Sequence, residues 1–70
     1  MGEKADQALK EFHEAWDKAR GIEQEALELL KREGKKDYEA IESKLREADG
    51  FFKKRDQAFK RFLSHSKRGE

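Results

Sequence analysis

The chain has 70 residues, of which 47% are charged and only 34% are apolar, and 17 Lys and Arg against 16 Asp and Glu give a net charge of +1. A chain this short forms one domain, residues 1–70, and its lack of cysteine excludes disulfides and thiolate metal clusters. No apolar run approaches the roughly 18 residues of a membrane span and no signal-peptide pattern opens the chain, so we expect a soluble, cytoplasmic-type protein of otherwise unknown compartment.

Apolar residues recur every three or four positions along the chain, which is typical of amphipathic helices. No segment alternates with a period of two, so we predict no strand. Proline is absent, and glycines at positions 21, 34 and 50 divide the helical pattern. We therefore predict an all-α, compact bundle of four helices joined by tight links that begin at glycine. The predicted helices are residues 3–20, 23–33, 37–49 and 52–67.

The three glycines carry this division. Gly34 is the strongest break, because cations before it suit a helix C-terminus and Asp37 after it can cap the next helix. Gly21 and Gly50 are each followed directly by a large apolar residue. That pattern favours a helix stop in which glycine adopts the left-handed conformation and the next residue packs back on the last turn.

A second architecture stays open, in which Gly21 and Gly50 lie inside two long helices that turn near Gly34. The three-four spacing from Tyr38 to Phe62 runs straight through Gly50. An interior glycine costs a helix only about 1 kcal/mol relative to alanine. Two helices cannot bury all their apolar residues alone, so this alternative requires a homodimer, in which two long helical hairpins form a four-helix bundle.

The large apolar residues of the helical stripe are predicted to form the core. At this spacing aromatic residues belong to a core more often than to a cofactor pocket, so we expect no cofactor. Truncating a large core residue typically costs about 2–5 kcal/mol, so these positions should dominate stability. The side chains expected to be most buried are Phe12, Trp16, Leu30, Ile41, Leu45, Phe59 and Phe62.

The sequence shows no pattern typical of a catalytic site. Ser64 and Ser66 flank His65, but neighbouring residues on a helix point in different directions and do not form a nucleophile–base pair. The other histidine, His13, lies beside the apolar stripe, and neither histidine has the spacing of a metal ligand set. A glycine-rich phosphate loop is also absent. We therefore expect no catalytic residue, no metal and no cofactor, and no enzymatic activity.

The charge is distributed unevenly. Residues 51–70 hold seven Lys and Arg against two acids, whereas residues 1–50 hold ten against fourteen. Such a basic amphipathic helix could bind nucleic acid, a membrane or an acidic protein. We favour cations that face the acidic helices over nucleic-acid binding, since the whole chain is barely basic and the last helix has no cluster of Asn or Gln for reading bases, with only Gln57 present. The candidate partner-binding residues are Lys53, Lys54, Arg55, Lys60 and Arg61.

Residues 26–41 resemble the inner turn of a tetratricopeptide repeat. In that motif, as here, a helix ends at glycine and a Tyr-Glu pair opens the next helix. The similarity covers under a quarter of the chain and implies a local helix-turn-helix.

The whole chain resembles computationally designed (de novo) helical bundles. The features that carry this resemblance are the absence of Pro and Cys, helices rich in Ala, Glu, Lys and Leu, glycine at each predicted stop, and acid-to-base pairs four residues apart such as Glu14 and Lys18. The resemblance implies a stable, monomeric structural protein with no evolved ligand and no required partner. The alternative is a small helical binding module that uses its basic C-terminal helix.

Overall fold

The structure, a computed structural model, describes residues 2–67 and consists of two long helices. Helix α1 spans Glu3–Lys31 and helix α2 spans Tyr38–Lys67. They lie side by side as a hairpin about 55 Å long, with a cross-section of 13 by 11 Å. Within the described residues neither helix has an apolar stretch of the length that crossing a bilayer demands.

The all-α class is confirmed, but the prediction of four helices is wrong. The segments predicted at 3–20 and 23–33 form the single helix α1, and those at 37–49 and 52–67 form α2. Gly21 and Gly50 lie inside the helices, and neither has a positive φ. The cost of each interior glycine, about 1 kcal/mol, is smaller than the cost of interrupting the packing of a long helix. The two long helices of the alternative architecture are confirmed, and the homodimer that it requires stays a prediction.

The turn between the helices follows the predicted signals. Helix α1 ends where Arg32 takes an extended conformation, and Gly34 has a φ of +93°, the left-handed region that favours glycine. The Asp37 carboxylate accepts a hydrogen bond of 3.1 Å from the backbone N–H of Ala40. Asp37 thereby caps α2, as its position in the sequence predicted.

The helices meet along a seam in which alanine alternates with larger residues. In both helices the seam positions alternate in steps of three and four, the heptad pattern of a coiled coil. All eight buried residues of the described chain lie on it, and seven of them are alanine. The seam of α1 is Ala5, Ala8, Phe12, Ala15, Ala19, Ile22, Ala26 and Leu29. The seam of α2 is Ile41, Lys44, Ala48, Phe51, Arg55, Ala58, Phe62 and His65.

The predicted core is wrong at most of its positions. Of the seven residues, only Ile41 is buried, at 4% exposure, and Phe12 and Phe62 are half-buried. The other four are 37–46% exposed, because they lie beside the seam rather than on it and two helices can cover only a narrow stripe. These four are Trp16, Leu30, Leu45 and Phe59.

Candidate functional site

The residues beside the seam form two flanks of opposite chemistry. In an antiparallel helix pair, positions that follow the seam face one side of the hairpin and positions that precede it face the other. We use the name apolar flank for the large apolar residues among the positions that follow the seam, which are Leu9, Trp16, Leu27, Leu30, Tyr38, Leu45, Phe52, Phe59 and Leu63. The same side of the hairpin also carries polar residues, namely Asp6, His13, Arg20, Glu23, Glu42, Asp49 and Asp56. We call the set that precedes the seam the charged flank; it contains Glu11, Lys18, Glu25, Glu47, Lys54 and Arg61.

An aromatic cluster joins the two helices at the apolar flank. The Phe12 ring lies 5.4 Å from the Trp16 ring in an edge-on arrangement and 5.4 Å from the Phe59 ring across the helix pair. Phe59 in turn lies 6.3 Å from Phe62. Contacts at these distances hold aromatic side chains in defined orientations. The apolar flank is therefore an ordered surface at this point.

The apolar flank is open to solvent. It contains all seven of the large hydrophobic side chains that are exposed in the described chain, from Trp16 at 37% to Tyr38 at 63%. The others are Leu27, Leu30, Leu45, Phe59 and Leu63. Single exposed apolar residues are ordinary in proteins, but a contiguous set on one side of a small monomer marks an interaction surface.

The charged flank is closed by contacts within the chain. An Arg61 guanidinium N–H donates to the Glu11 carboxylate at 2.6 Å, and the Lys44 ammonium, which lies on the seam, donates to Glu25 at 2.6 Å. The hydrogen bond from Arg61, helped by one from Gln7, lowers the pKa of Glu11 below its usual range. The hydrogen bond to Glu25 and its negative charge raise the pKa of Lys44 above its usual range.

Lysines also cover the one large apolar residue on this side. The ammonium groups of Lys18 and Lys54 lie 5.7 and 5.1 Å from the centroid of the Phe51 ring. A cation over an aromatic ring is attracted by the electrons of its face, and the lysine stems shield the ring from water. The charged flank therefore offers no open apolar surface comparable with that of the apolar flank.

The five candidate partner-binding cations do not share one surface. Arg55 lies on the seam, and its guanidinium reaches over two rings of the apolar flank, 4.9 Å from the Phe52 ring and 5.4 Å from the Trp16 ring. Of the other four, Lys54 and Arg61 lie on the charged flank, and Lys53 and Lys60 lie on the outer side of α2. Two of the four form ion pairs within the chain, Lys53 with Asp49 at 3.2 Å and Arg61 with Glu11.

The two histidines are far from forming a site together. His13 is exposed, with its ring 5.2 Å from that of Phe12, whereas His65 lies half-buried on the seam near the open end of the hairpin. Within residues 2–67, no group of three His, Cys, Asp or Glu side chains is arranged to hold a metal ion. The features of the hairpin that bear on function are therefore its two flanks.

Sequence reasoning missed the apolar flank as a separate surface. The signal was present, because each helix carries apolar residues at three positions of most heptads rather than two. The prediction merged the alanines of the seam and the large residues beside them into one stripe. Alanine is the partial signal that could have separated the two sets, since seven of the eight buried residues are alanine, whereas the exposed Leu, Phe, Tyr and Trp residues lie beside the seam.

Comparison with known proteins identifies no relative of this chain. No protein-family model matches the chain, and neither a curated protein sequence nor a solved structure gives a significant match. The function is therefore argued from the two flanks themselves.

Proposed function

We propose that this protein is a non-enzymatic structural module, a rigid helical hairpin that completes its core with apolar helices from another polypeptide chain. The observation that carries the proposal is the exclusive position of the exposed large hydrophobic residues on one flank. Within residues 2–67 no group of three His, Cys, Asp or Glu side chains is arranged to hold a metal ion. The design-like composition supports the same structural role, with no small-molecule ligand.

The chemistry of the flank specifies the occupant. Leu, Phe, Tyr and Trp side chains lie in two parallel rows along a hairpin that is about 55 Å long and has no strand edge within residues 2–67. Such rows fit the apolar face of another helix, whose ridges pack between them. A compact small molecule would cover only a fraction of this length.

The proposal is tested by removing the apolar character of the flank without altering the hairpin. In a flank variant, Leu27→Gln, Leu45→Gln and Leu63→Gln replace three side chains that are each more than 40% exposed. Leucine and glutamine have similar length and helix propensity, so circular dichroism should show the native helix content. Native protein at sub-micromolar concentration should enhance the fluorescence of anilinonaphthalene sulfonate, a dye that binds exposed apolar surface. The flank variant should lose most of this signal.

A matched control substitutes exposed residues outside the apolar flank. Glu28→Gln and Arg46→Gln leave the net charge unchanged and should bind the dye as the native protein does. Equal dye binding by the native protein and the flank variant would show that the flank is not an available apolar surface, and the proposal would fail.

A second candidate function rests on four cations of α2. Lys53 and Lys60 lie on the outer side of this helix, and Lys54 and Arg61 lie beside them on the charged flank, so this side of α2 could contact phosphates. If all five candidate cations bound duplex DNA, the log-log salt slope of the affinity would be near −4.5, from about −0.9 per phosphate. We expect binding to be weak or undetectable at about 150 mM salt, because contacts within the chain already engage Lys53 and Arg61. Sub-micromolar binding that Lys53→Glu with Lys54→Glu abolishes would instead favour this second function.

A further inference from the structure

The hairpin exposes more surface than a compact protein of its mass. Its accessible surface is 5474 Å² for a chain of 8.3 kDa. The relation between surface and mass for folded monomers gives about 4600 Å², which leaves an excess of about 900 Å². A stable protein–protein interface of standard size covers about 800 Å² on each partner. One further chain packed on one face would therefore cover the excess.

The width of the apolar stripe points to the same arrangement. Helices of a two-stranded coiled coil need apolar residues at only two positions of each heptad. Here a third position adds Trp16 and Leu30 on α1, and Leu45 and Phe59 on α2. A stripe of this width is typical of helices with neighbours on two sides, as in a four-helix bundle. The hairpin supplies two of the four helices.

The flank is self-complementary under a two-fold rotation. Phe59 lies beside Phe12 in the hairpin, so one heptad further along Phe52 lies at the level of Ala19. On α2, Leu45 and Phe59 lie seven residues before and after Phe52. A two-fold axis perpendicular to the helices, at the level of Phe52, therefore brings Leu45 of one copy opposite Phe59 of the other.

The same axis suits helix α1. Leu9 and Leu30 lie almost equally far from Ala19 in opposite directions, so Leu9 of one copy comes opposite Leu30 of the other. Near the axis the flank is polar: Arg20 comes about 3 Å, measured along the helix axis, from Arg20 of the other copy and about 7.5 Å from Glu23 of that copy, at 1.5 Å per residue. Arg20 is paired with Asp17 of its own chain at 2.6 Å. The complementarity of the two copies therefore lies in their large apolar residues, which meet apolar residues on both helices.

We propose that the occupant of the apolar flank is a second copy of this chain, arranged so that the two turns lie at opposite ends of a four-helix bundle. This inference rests on the proposed function, since it names the partner of the same flank. An axis along the hairpin would instead bring the two turns together, each with Arg32, Lys35 and Lys36. The repulsion between these cations favours the arrangement with the two turns at opposite ends.

The first experiment measures mass against concentration by sedimentation equilibrium. Native protein and the outer-face control, Glu28→Gln with Arg46→Gln, should show twice the 8.3 kDa chain mass at tens of micromolar. The flank variant should remain helical, with a dissociation constant raised at least about a hundred-fold by the loss of three buried leucines. If the triple variant loses its helix content, Leu45→Gln alone should still weaken association.

The second experiment measures the orientation of the copies. The chain has no cysteine, so Lys35→Cys provides one site for a spin label in the exposed turn. With the turns at opposite ends, the two labels should lie roughly 45 Å apart, from the rise of 1.5 Å per residue. A separation between the labels comparable with the 13 Å width of the hairpin would overturn the arrangement with the turns at opposite ends.

The two experiments separate this inference from the proposed function. If the native protein keeps a mass of 8.3 kDa at all concentrations yet binds the dye through its apolar flank, a second copy is not the partner and the docking role stands. If it is monomeric and binds no dye, both proposals fail. Dye binding that decreases as the mass doubles would support both.

Discussion

The two flanks of this hairpin are built from the same heptads, but contacts within the chain cover the side chains of the charged flank and leave those of the apolar flank exposed. On the charged flank, Arg61 pairs with Glu11, and Phe51 lies beneath two lysines. On the apolar flank, Leu45 and Phe59 are 46% and 43% exposed with nothing above them in the hairpin. A polar side chain can form its hydrogen bonds with water, whereas an exposed apolar side chain is stabilised only when another surface removes it from water. The difference identifies the flank that is incomplete.

The seam explains how the hairpin tolerates an incomplete flank. Seven of its positions are buried alanines, which let the helix backbones approach closely. Alanine is also the residue with the highest intrinsic helix propensity. The helices therefore pair through small side chains, while the large ones remain free to contribute to a second interface. Large residues on the seam would have built a thicker two-helix core with a less apolar flank.

The strongest test of the comparison truncates one residue of similar size on the seam and one on the apolar flank. Ile41→Ala removes a side chain that is 4% exposed and should cost about 2–5 kcal/mol of unfolding free energy, the usual range for buried aliphatic residues. Leu45→Ala lies one turn away at 46% exposure and should cost much less when the chain is dilute. Urea unfolding followed by circular dichroism measures both.

Protein concentration sharpens this test. Once the apolar flank is covered by a second copy, the cost of Leu45→Ala should rise with concentration, whereas the cost of Ile41→Ala should not depend on the flank. Equal costs for the two variants in dilute solution would mean that the seam and the flank are not distinct surfaces.

The sequence predicted the class of the fold better than its connections. The three-four spacing was sufficient for helices, and Asp37 and Gly34 correctly marked the turn. The helix stops at Gly21 and Gly50 were wrong because local signals for a stop compete with packing along a long seam, and packing is not visible in a local pattern. Burial of Trp16 was overestimated for a related reason, since periodicity gives the side of a helix but not whether that side is covered.

The second prediction tests whether the helices that define the flanks are continuous. Neither Gly21 nor Gly50 has an atom within 4 Å of the position of an added β-carbon, and both are helical. Alanine at either site should therefore stabilise the protein by up to about 1 kcal/mol. Gly34→Ala is the matched control, because its φ of +93° strains any β-carbon and should make the change destabilising. A loss of stability at both interior sites would indicate helix stops and remove the common register of the flanks.

The smallest expected effect concerns the pH dependence of the charged flank. The pKa of Glu11 is lowered by its hydrogen bond with Arg61 from an ordinary 4.5, so its stabilising contribution is present above pH 4.5 and is lost as the pH falls through the folded-state value. The pKa of Lys44 is raised by Glu25 from an ordinary 10.5, so its contribution is present below pH 10.5 and is lost as the pH rises through the folded-state value. Between these limits the contribution of the two pairs to stability does not change with pH.

Thermal melts of the native protein and of Glu11→Gln, compared at pH 7 and pH 3, isolate the acidic side of this dependence. The native protein should be slightly more stable than the variant at pH 7, and this advantage should shrink at pH 3, because below pH 4.5 the unfolded state binds a proton at Glu11 more readily than the folded state does. High salt should also reduce the advantage, because both partners are solvent-exposed and their attraction is screened. The flank variant Leu27→Gln, Leu45→Gln and Leu63→Gln should keep the same pH difference, since its changes lie on the other side of the hairpin. A difference that disappears with the apolar leucines would show that the two flanks are coupled rather than independent.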